Sequence, residues 1–349
     1  MTMGTRITGG VDTHLDVHVA AALDERGGLL GVESFPTTVA GYQRLVSWLR
    51  AFGDVELVGV EGTGSYGAGL TRFLHRHRLA VVEVDRPNRQ RRRRRGKSDP
   101  QDAISAARAA QSGDSCGLAK SRDGNVESMR VLRVARNSAR RSRTQALNQM
   151  RALITTAPDE IRSELRDLNA HHLLQRASSY RPGQRRDVNA VCRFTLRTLA
   201  RRAIALEAEI TEIDKLLTEL AADTAPELVA INGVGTDVAT ALLVAAGDNP
   251  ERLRNEATFA HLCGVAPIDA SSGKHERHRL NRGGDRQANS ALWHIVITRM
   301  VCDQRTRDYI ARRLDEGRTK KEAMRCLKRY IAREIYHQLP RRQLTIDNP

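Results

Sequence analysis

Apolar and polar residues alternate in short runs through the first quarter of the chain. Ile7 to Val11 lead into Asp12, and Val17 to Leu23 alternate. Leu29 to Phe35 follow Gly27-Gly28, a pair that signals a two-residue hairpin turn. Val39, Tyr42, Leu45, Val46 and Leu49 then take up helical spacing behind Thr37 or Thr38 as N-cap. Glu56 to Val60 reads as a short strand ending at Glu61, residues 66–77 as a helix and residues 79–84 as a strand. A further helix opens near Asp99-Pro100, since proline is tolerated in a first turn. The predicted order is β-β-β-α-β-α-β, a loop, then α.

Beyond this point the period is helical. Residues 126–157 form one predicted helix, and residues 188–222 another. The second carries Leu196, Leu199, Ala203, Leu206, Ile210, Ile213, Leu217 and Leu220 at alternating three and four, a coiled-coil seam. The spacing leaves open whether it pairs within the chain or between protomers. Ile231 to Gly235 reads as a two-glycine turn before a helix, resembling a helix-hairpin-helix element. The amides at Gly233 and Gly235 would meet phosphates there; an ordinary helix start is the plainer alternative. Phe259 to Val265 precede a Pro267 turn, and helices are predicted over 286–300, 303–316 and 319–338.

Composition changes the picture in two ways. A chain of 349 residues, 40% of them hydrophobic, builds two or three domains with real cores and excludes wholesale disorder. No apolar run is long enough to cross a bilayer, and the N-terminus lacks a secretion pattern. Five scattered cysteines argue against a disulfide framework or zinc finger and point to a reducing cytoplasm. The second change is charge. With 57 Lys+Arg against 41 Asp+Glu, the net charge of +16 calls for a polyanionic partner, most simply nucleic acid. Residues 86–97 concentrate it, with Arg91, Arg92, Arg93, Arg94, Arg95 and Lys97 among eight basic side chains. From Ser128 to Pro158 there is no acidic residue, while Arg130, Arg133 and Arg140 recur at helical spacing. That face is expected along a phosphate backbone rather than simply in water.

Candidate chemistry sits at two places. Asp12 follows the first strand, Glu61 ends the fourth, and Asp99 and Asp102 are three apart on one helix face. Hard oxygen ligands converging in this way suit divalent metal ions in phosphoryl transfer. Taken singly, Asp99 and Asp102 could merely complement a helix dipole. The Gly59 to Gly67 stretch lacks the lysine of a Walker loop and reads as a tight turn that lets nucleic acid approach. Farther on, Ser271-Ser272-Gly273 precedes Lys274 and Arg277. A serine there suits either a phosphate-binding loop or a nucleophile backed by cations. His275 and His278 lack a third metal ligand.

In order along the chain, these pieces resemble the DEDD transposases of the insertion-sequence-110 class. The matching stretches are Val11-Asp12-Thr13, Glu61-Gly62-Thr63-Gly64-Ser65-Tyr66, and Lys97-Ser98-Asp99-Pro100-Gln101-Asp102-Ala103. Two more are Ile231-Asn232-Gly233-Val234-Gly235 and Cys263-Gly264-Val265-Ala266-Pro267 running to Ser271-Ser272-Gly273. Asn232 stands where the family often has proline, and the five-arginine run is no part of the motif.

The resemblance implies an α/β plus α fold. An RNase H/RuvC-like catalytic domain is expected over 1–115, a basic helical coiled-coil segment over 124–222 and a mainly helical transposase domain over 223–349. It also implies that Asp12, Glu61, Asp99 and Asp102 hold Mg²⁺, and that Ser272 becomes covalently joined to DNA. The partners it implies are donor and target DNA, a structured noncoding guide RNA, and further copies of the chain in a dimer or tetramer. A RuvC-like junction nuclease using only the four acids, and a silent nucleic-acid-binding protein, are the rival readings. A sugar-kinase-like ATPase is disfavoured because no second phosphate-binding half follows.

Overall fold

The computed structural model describes residues 5–84, 98–113, 116–183, 187–273 and 278–340. Arg91 to Arg95, Lys97, Lys274 and Arg277 lie outside the described residues. The elements begin with β1 (Arg6–Thr13), β2 (Val17–Leu23), β3 (Leu29–Pro36), α1 (Val39–Arg50), β4 (Asp54–Glu61) and α2 (Ala68–Arg76). Next come β5 (Val81–Val84), α3 (Asp99–Ser112), β6 (Cys116–Leu118) and α4 (Asn125–Thr155). The helices α5 (Asp159–Leu165), α6 (Ala170–Ser178), α7 (Val188–Thr224), α8 (Pro226–Val229) and α9 (Thr236–Ala246) follow. A 3₁₀ turn at Pro250–Arg252 leads to α10 (Glu256–Leu262), β7 (Ile268–Asp269) and β8 (His278–Arg279). The last three helices are α11 (Arg286–Cys302), α12 (Gln304–Asp315) and α13 (Lys320–His337). The protein is therefore mixed α/β in its first third and mostly helical after it.

The chain divides into two compact units. One is built from residues 1–127, 245–289 and 325–349, the other from residues 128–244 and 290–324. In the first, six strands form a sheet in the order β3-β2-β1-β4-β5-β6. β1 runs antiparallel to β2 and parallel to β4; β4 and β5 are parallel, and β6 closes the edge antiparallel. The period of two sorts the two faces. Ile7, Val11, Ala20, Ala22, Val58 and Val60 pack with Tyr42, Leu45 and Leu49 of α1 and Leu70, Phe73 and Leu74 of α2. Val19 and Ala21, on the other face, pack with Ala103 and Ile104 of α3.

The turn between β2 and β3 differs from the sequence expectation. It is not a two-residue hairpin at Gly27-Gly28 but a loop over residues 24–28 organised by Asp24. The Asp24 Oδ1 accepts from the backbone N–H of Arg26 at 2.9 Å and of Gly28 at 2.8 Å. An aspartate that captures two amides offers the chain a wider, self-satisfied turn. β6 has no counterpart in the expected order either.

Distant residues complete the first unit. The Asp248 carboxylate accepts from Val126 N at 2.8 Å and Glu127 N at 3.1 Å, satisfying first-turn donors of α4. Asn249 accepts from Ser121 N at 3.1 Å and donates to the Ala119 carbonyl at 2.9 Å.

In the second unit, α4 and α7 lie antiparallel, as the ion pairs Arg136–Asp214 and Arg143–Glu207 show. One buried core joins Leu147, Met150 and Ile154 of α4 with Ile161, Leu173, Leu174, Leu196, Ala200 and Ala203. The N-terminal part of the α7 seam, Leu196, Leu199 and Ala203, thus packs within the chain. No helix among the described residues is long and apolar enough to cross a membrane. Cys192, Cys263, Cys302 and Cys326 are free thiols.

Candidate active site

Two glycines set the site. A Cβ on Gly10 would stand 2.1 Å from Ala107 N and 2.4 Å from the Ala103 carbonyl. One on Gly59 would stand 2.7 Å from the Ala106 carbonyl and the Ala110 Cβ. Only bare backbone at these positions lets α3, lined with alanines, lie directly on β1 and β4. Asp12 and Glu61 fall two residues after Gly10 and Gly59, so both share the face that α3 covers. The strands are in register there, with Val11 opposite Val60.

The helix brings its own acids. Ser98 caps α3, its Oγ accepting from Gln101 N, and Pro100 sits in the first turn. Asp99 and Asp102 occupy that turn, where the helix dipole favours negative charge. Asp12, Glu61 and Asp102 are buried, each under 10% exposed, whereas Asp99 is half-buried. Burial pushes the Asp12 carboxyl above the usual carboxylate range; His14 pulls it back, and Asp102 and Asp99 push it up again. The Thr13 hydroxyl donates to the Glu61 carbonyl at 2.8 Å and ties the two strand ends together.

His14 is the residue that sequence reasoning missed. Its Nε2 lies 3.1 Å from Asp12 Oδ2 and 3.4 Å from Asp99 Oδ1. One ligand atom from each of Asp12, His14 and Asp99 falls within 4.8 Å of the others. The only signal was its place two residues after Asp12. The hard oxygens of carboxylates gathered this closely fit a divalent cation.

The other expected positions separate. Ser271 and Ser272 lie in the first unit, as the acids do. The Ser271 backbone N–H and hydroxyl both donate to Asp269 Oδ1, at 2.8 and 2.5 Å. Those bonds hold the Asp269 carboxyl below its usual range. Ser272 is exposed beside Gly273, which has φ +57°, and no hydrogen bond engages its hydroxyl among the described residues.

In the second unit, Gly233 takes φ +83°, and a Cβ on Gly235 would meet open space. Arg140 is exposed and Arg130 half-buried. Arg133 departs from the expected phosphate-facing set. It is buried and donates to the Asp237 carbonyl at 2.8 Å, Asp237 Oδ1 at 2.9 Å and Thr240 Oγ1 at 2.7 Å. Arg136 reaches the same carboxylate at 2.7 Å. Burial alone would raise the Asp237 carboxyl; the two guanidiniums outweigh it and hold it below its ordinary value.

Sheet order and acidic cluster define an α/β protein with a candidate metal centre at adjacent strand ends. Comparison with known proteins takes this further. Residues 9–172 match the family model for the DEDD transposase of IS110, and residues 225–311 the model described as Transposase IS116/IS110/IS902 family. The chain is also similar to the insertion element IS110 uncharacterized 43.6 kDa protein of Streptomyces coelicolor, 34% identical over 122 residues. That stretch spans 34% of this chain and 28% of the relative's length. The chain belongs to the IS110 class of DEDD transposases.

Proposed function

We propose that this protein is the transposase of an insertion sequence, which cuts and rejoins DNA strands, and that its sheet unit is an RNase H/RuvC-like catalytic domain. The observation that carries the reading is the convergence of Asp12, Asp99 and Asp102, with Glu61 at the adjoining strand end, on one face of the sheet. Asp12, Glu61, Asp99 and Asp102 would hold Mg²⁺, with His14 between Asp12 and Asp99. Magnesium bound to these carboxylates supplies charge stabilisation at a phosphoryl group.

Ser272 is the proposed nucleophile. Its Oγ would form a bond to phosphorus as one deoxyribose oxygen leaves; the serine gives up its proton and the leaving oxygen gains one. The resulting ester keeps the bond energy, so strands can be rejoined without ATP, whereas transfer to water would lose it. The Ser271 hydroxyl is already committed to Asp269, which favours Ser272. Phosphate contacts are assigned to Arg91, Arg92, Arg93, Arg94, Arg95, Lys97, Arg130, Arg140, Gly233, Gly235, Lys274 and Arg277. Arg133 leaves that set for the packing of the helices. Donor and target DNA would be chosen through a structured guide RNA, since base pairing can carry the sequence specificity. A homodimer or tetramer would supply the several strands' worth of sites.

The test uses purified protein, Mg²⁺, the element's RNA and a supercoiled plasmid carrying the element ends, resolved on a denaturing gel. Wild type should yield a covalent protein–DNA adduct. Asp12→Asn and Asp102→Asn should cut no DNA yet bind it, Ser272→Ala should lose the adduct, and Ser271→Ala should keep it. Cutting without any adduct would favour a junction nuclease; full cutting by Asp12→Asn would overturn the metal site.

A further inference from the structure

We propose that Arg122 is a contact for a DNA backbone phosphate at the acidic site, an assignment that rests on the transposase reading above. The position is unusual in three independent ways. Its backbone takes φ +53°; among the described residues only Arg78 shares a positive φ without being glycine. Arg78 has a local reason, because it ends α2 in a helix-capping turn, with Arg78 N bonded to the His75 carbonyl and Leu79 N to the Leu74 carbonyl. Arg122 ends no helix; it sits in the irregular segment between β6 and α4. A left-handed backbone is strained for an arginine and persists where the surroundings or a function require it.

The guanidinium is also poorly satisfied. The side chain is only 14% exposed, and its ion pair to Glu127 is a long 3.5 Å. Among the described residues its Nε has no hydrogen-bond partner. A guanidinium with a donor to spare suits a phosphate, whose oxygens it binds in a planar fork. Other cations crowd the position as well. The Lys120 ammonium is pushed down to about 8, first by burial and then by Arg252 and Arg122.

Placement supplies the third point. A Cβ on Gly64 would stand 3.1 Å from Arg122 Nη2. Gly64 lies in the turn that leaves Glu61, closed by Ser65 N to the Gly62 carbonyl at 2.9 Å and Gly67 N to the same carbonyl at 3.1 Å. A side chain at position 64 would crowd the guanidinium, so the glycine keeps the space in front of it open. Carboxylates alone repel a DNA strand, and a fixed cation beside the turn that follows Glu61 offsets that repulsion at one phosphate.

The experiment measures binding of a thymidine oligonucleotide by fluorescence anisotropy against salt concentration, alongside thermal melting. Arg122→Gln should flatten the log–log salt slope by about 0.7, the value for one neutralised phosphate of a single strand. Arg122→Lys keeps the charge and should return the slope to the wild-type value. An unchanged slope in Arg122→Gln overturns the proposal, as does a change seen only with a uridine oligoribonucleotide. If Arg122→Gln does not melt cooperatively, Glu127→Gln decides. Freeing the guanidinium from its carboxylate should tighten DNA binding; equal or weaker binding overturns the proposal. The plasmid adduct assay separates the two levels. Wild type that forms adduct while Arg122→Gln keeps its slope sinks only this inference. A flattened slope with no wild-type adduct sinks the transposase reading and leaves the phosphate assignment standing.

Discussion

His18 and Asp12 sit on neighbouring strands but face opposite sides of the sheet, and burial acts on them in opposite senses. His18 is fully buried and stacked on Tyr42, ring centroids 5.7 Å apart. Neither ring nitrogen has a hydrogen-bond partner among the described residues. Burial, with a smaller push from His14, lowers its pKa from 6.5 to about 4. The unfolded chain therefore takes up the proton first. The stability is full above pH 6.5 and is lost as pH falls towards 4. That loss amounts to about 3 kcal/mol, at 1.36 kcal/mol per pH unit. His18→Phe should flatten the pH dependence of urea melts across this window. An identical slope in the variant would show that other groups dominate acid unfolding. Arg133 carries a second residue-scale prediction. Arg133→Ala removes three hydrogen bonds, one of them to the buried Thr240 hydroxyl, so it should cost about 2–3 kcal/mol in a urea melt. DNA affinity at equal folded fraction should barely change, whereas a pure phosphate ligand would show the reverse.

At the scale of elements, the site depends on how closely α3 lies on the sheet. Gly10→Ala forces a methyl into helix backbone that cannot swing aside. It should lower stability by about 3 kcal/mol, at the upper end for overpacking. It should also abolish strand cutting even where the protein remains folded, because Asp99 and Asp102 move with the helix. Melting and plasmid cutting, measured side by side, check both halves. Much of this geometry is legible in the sequence. Alternation marks β1, β2 and β3, and the three-residue interval places Asp99 and Asp102 on one face. What stays hidden depends on tertiary packing. β6 is only three residues of Cys-Gly-Leu, too short to show a period. His14 is a lone side chain past a strand end. The arginines of α4 read as one phosphate-facing set because no acid lies near them in sequence; Asp237, which claims Arg133, is 104 residues away. Arg122 is marked by backbone angle and burial, which local composition does not record.

For the whole molecule, the excess of positive charge is the feature that would govern the proposed encounter with nucleic acid. Replacing Arg91 to Arg95 with serine should weaken DNA binding and flatten its salt dependence. The slope should fall by up to about 0.9 log unit for each duplex phosphate that is no longer neutralised. An unaltered slope, read by anisotropy across a salt series, would show those arginines to be mere solvated charge. The discontinuous make-up of the sheet unit has a consequence for biosynthesis. Asn249 clasps Ser121 across 128 residues of chain, and Asp248 secures the amides just beyond Arg122. At translation speeds of about 5–20 residues per second, the ribosome needs roughly 6–25 s to make that intervening stretch. Until then the nascent sheet has its acids but not the clasp that sets the segment beside them. A chain that stops before Asp248 lacks the side chains that hold Ser121, Val126 and Glu127, so the sheet unit is one that can be completed only after nearly three quarters of the chain has been made.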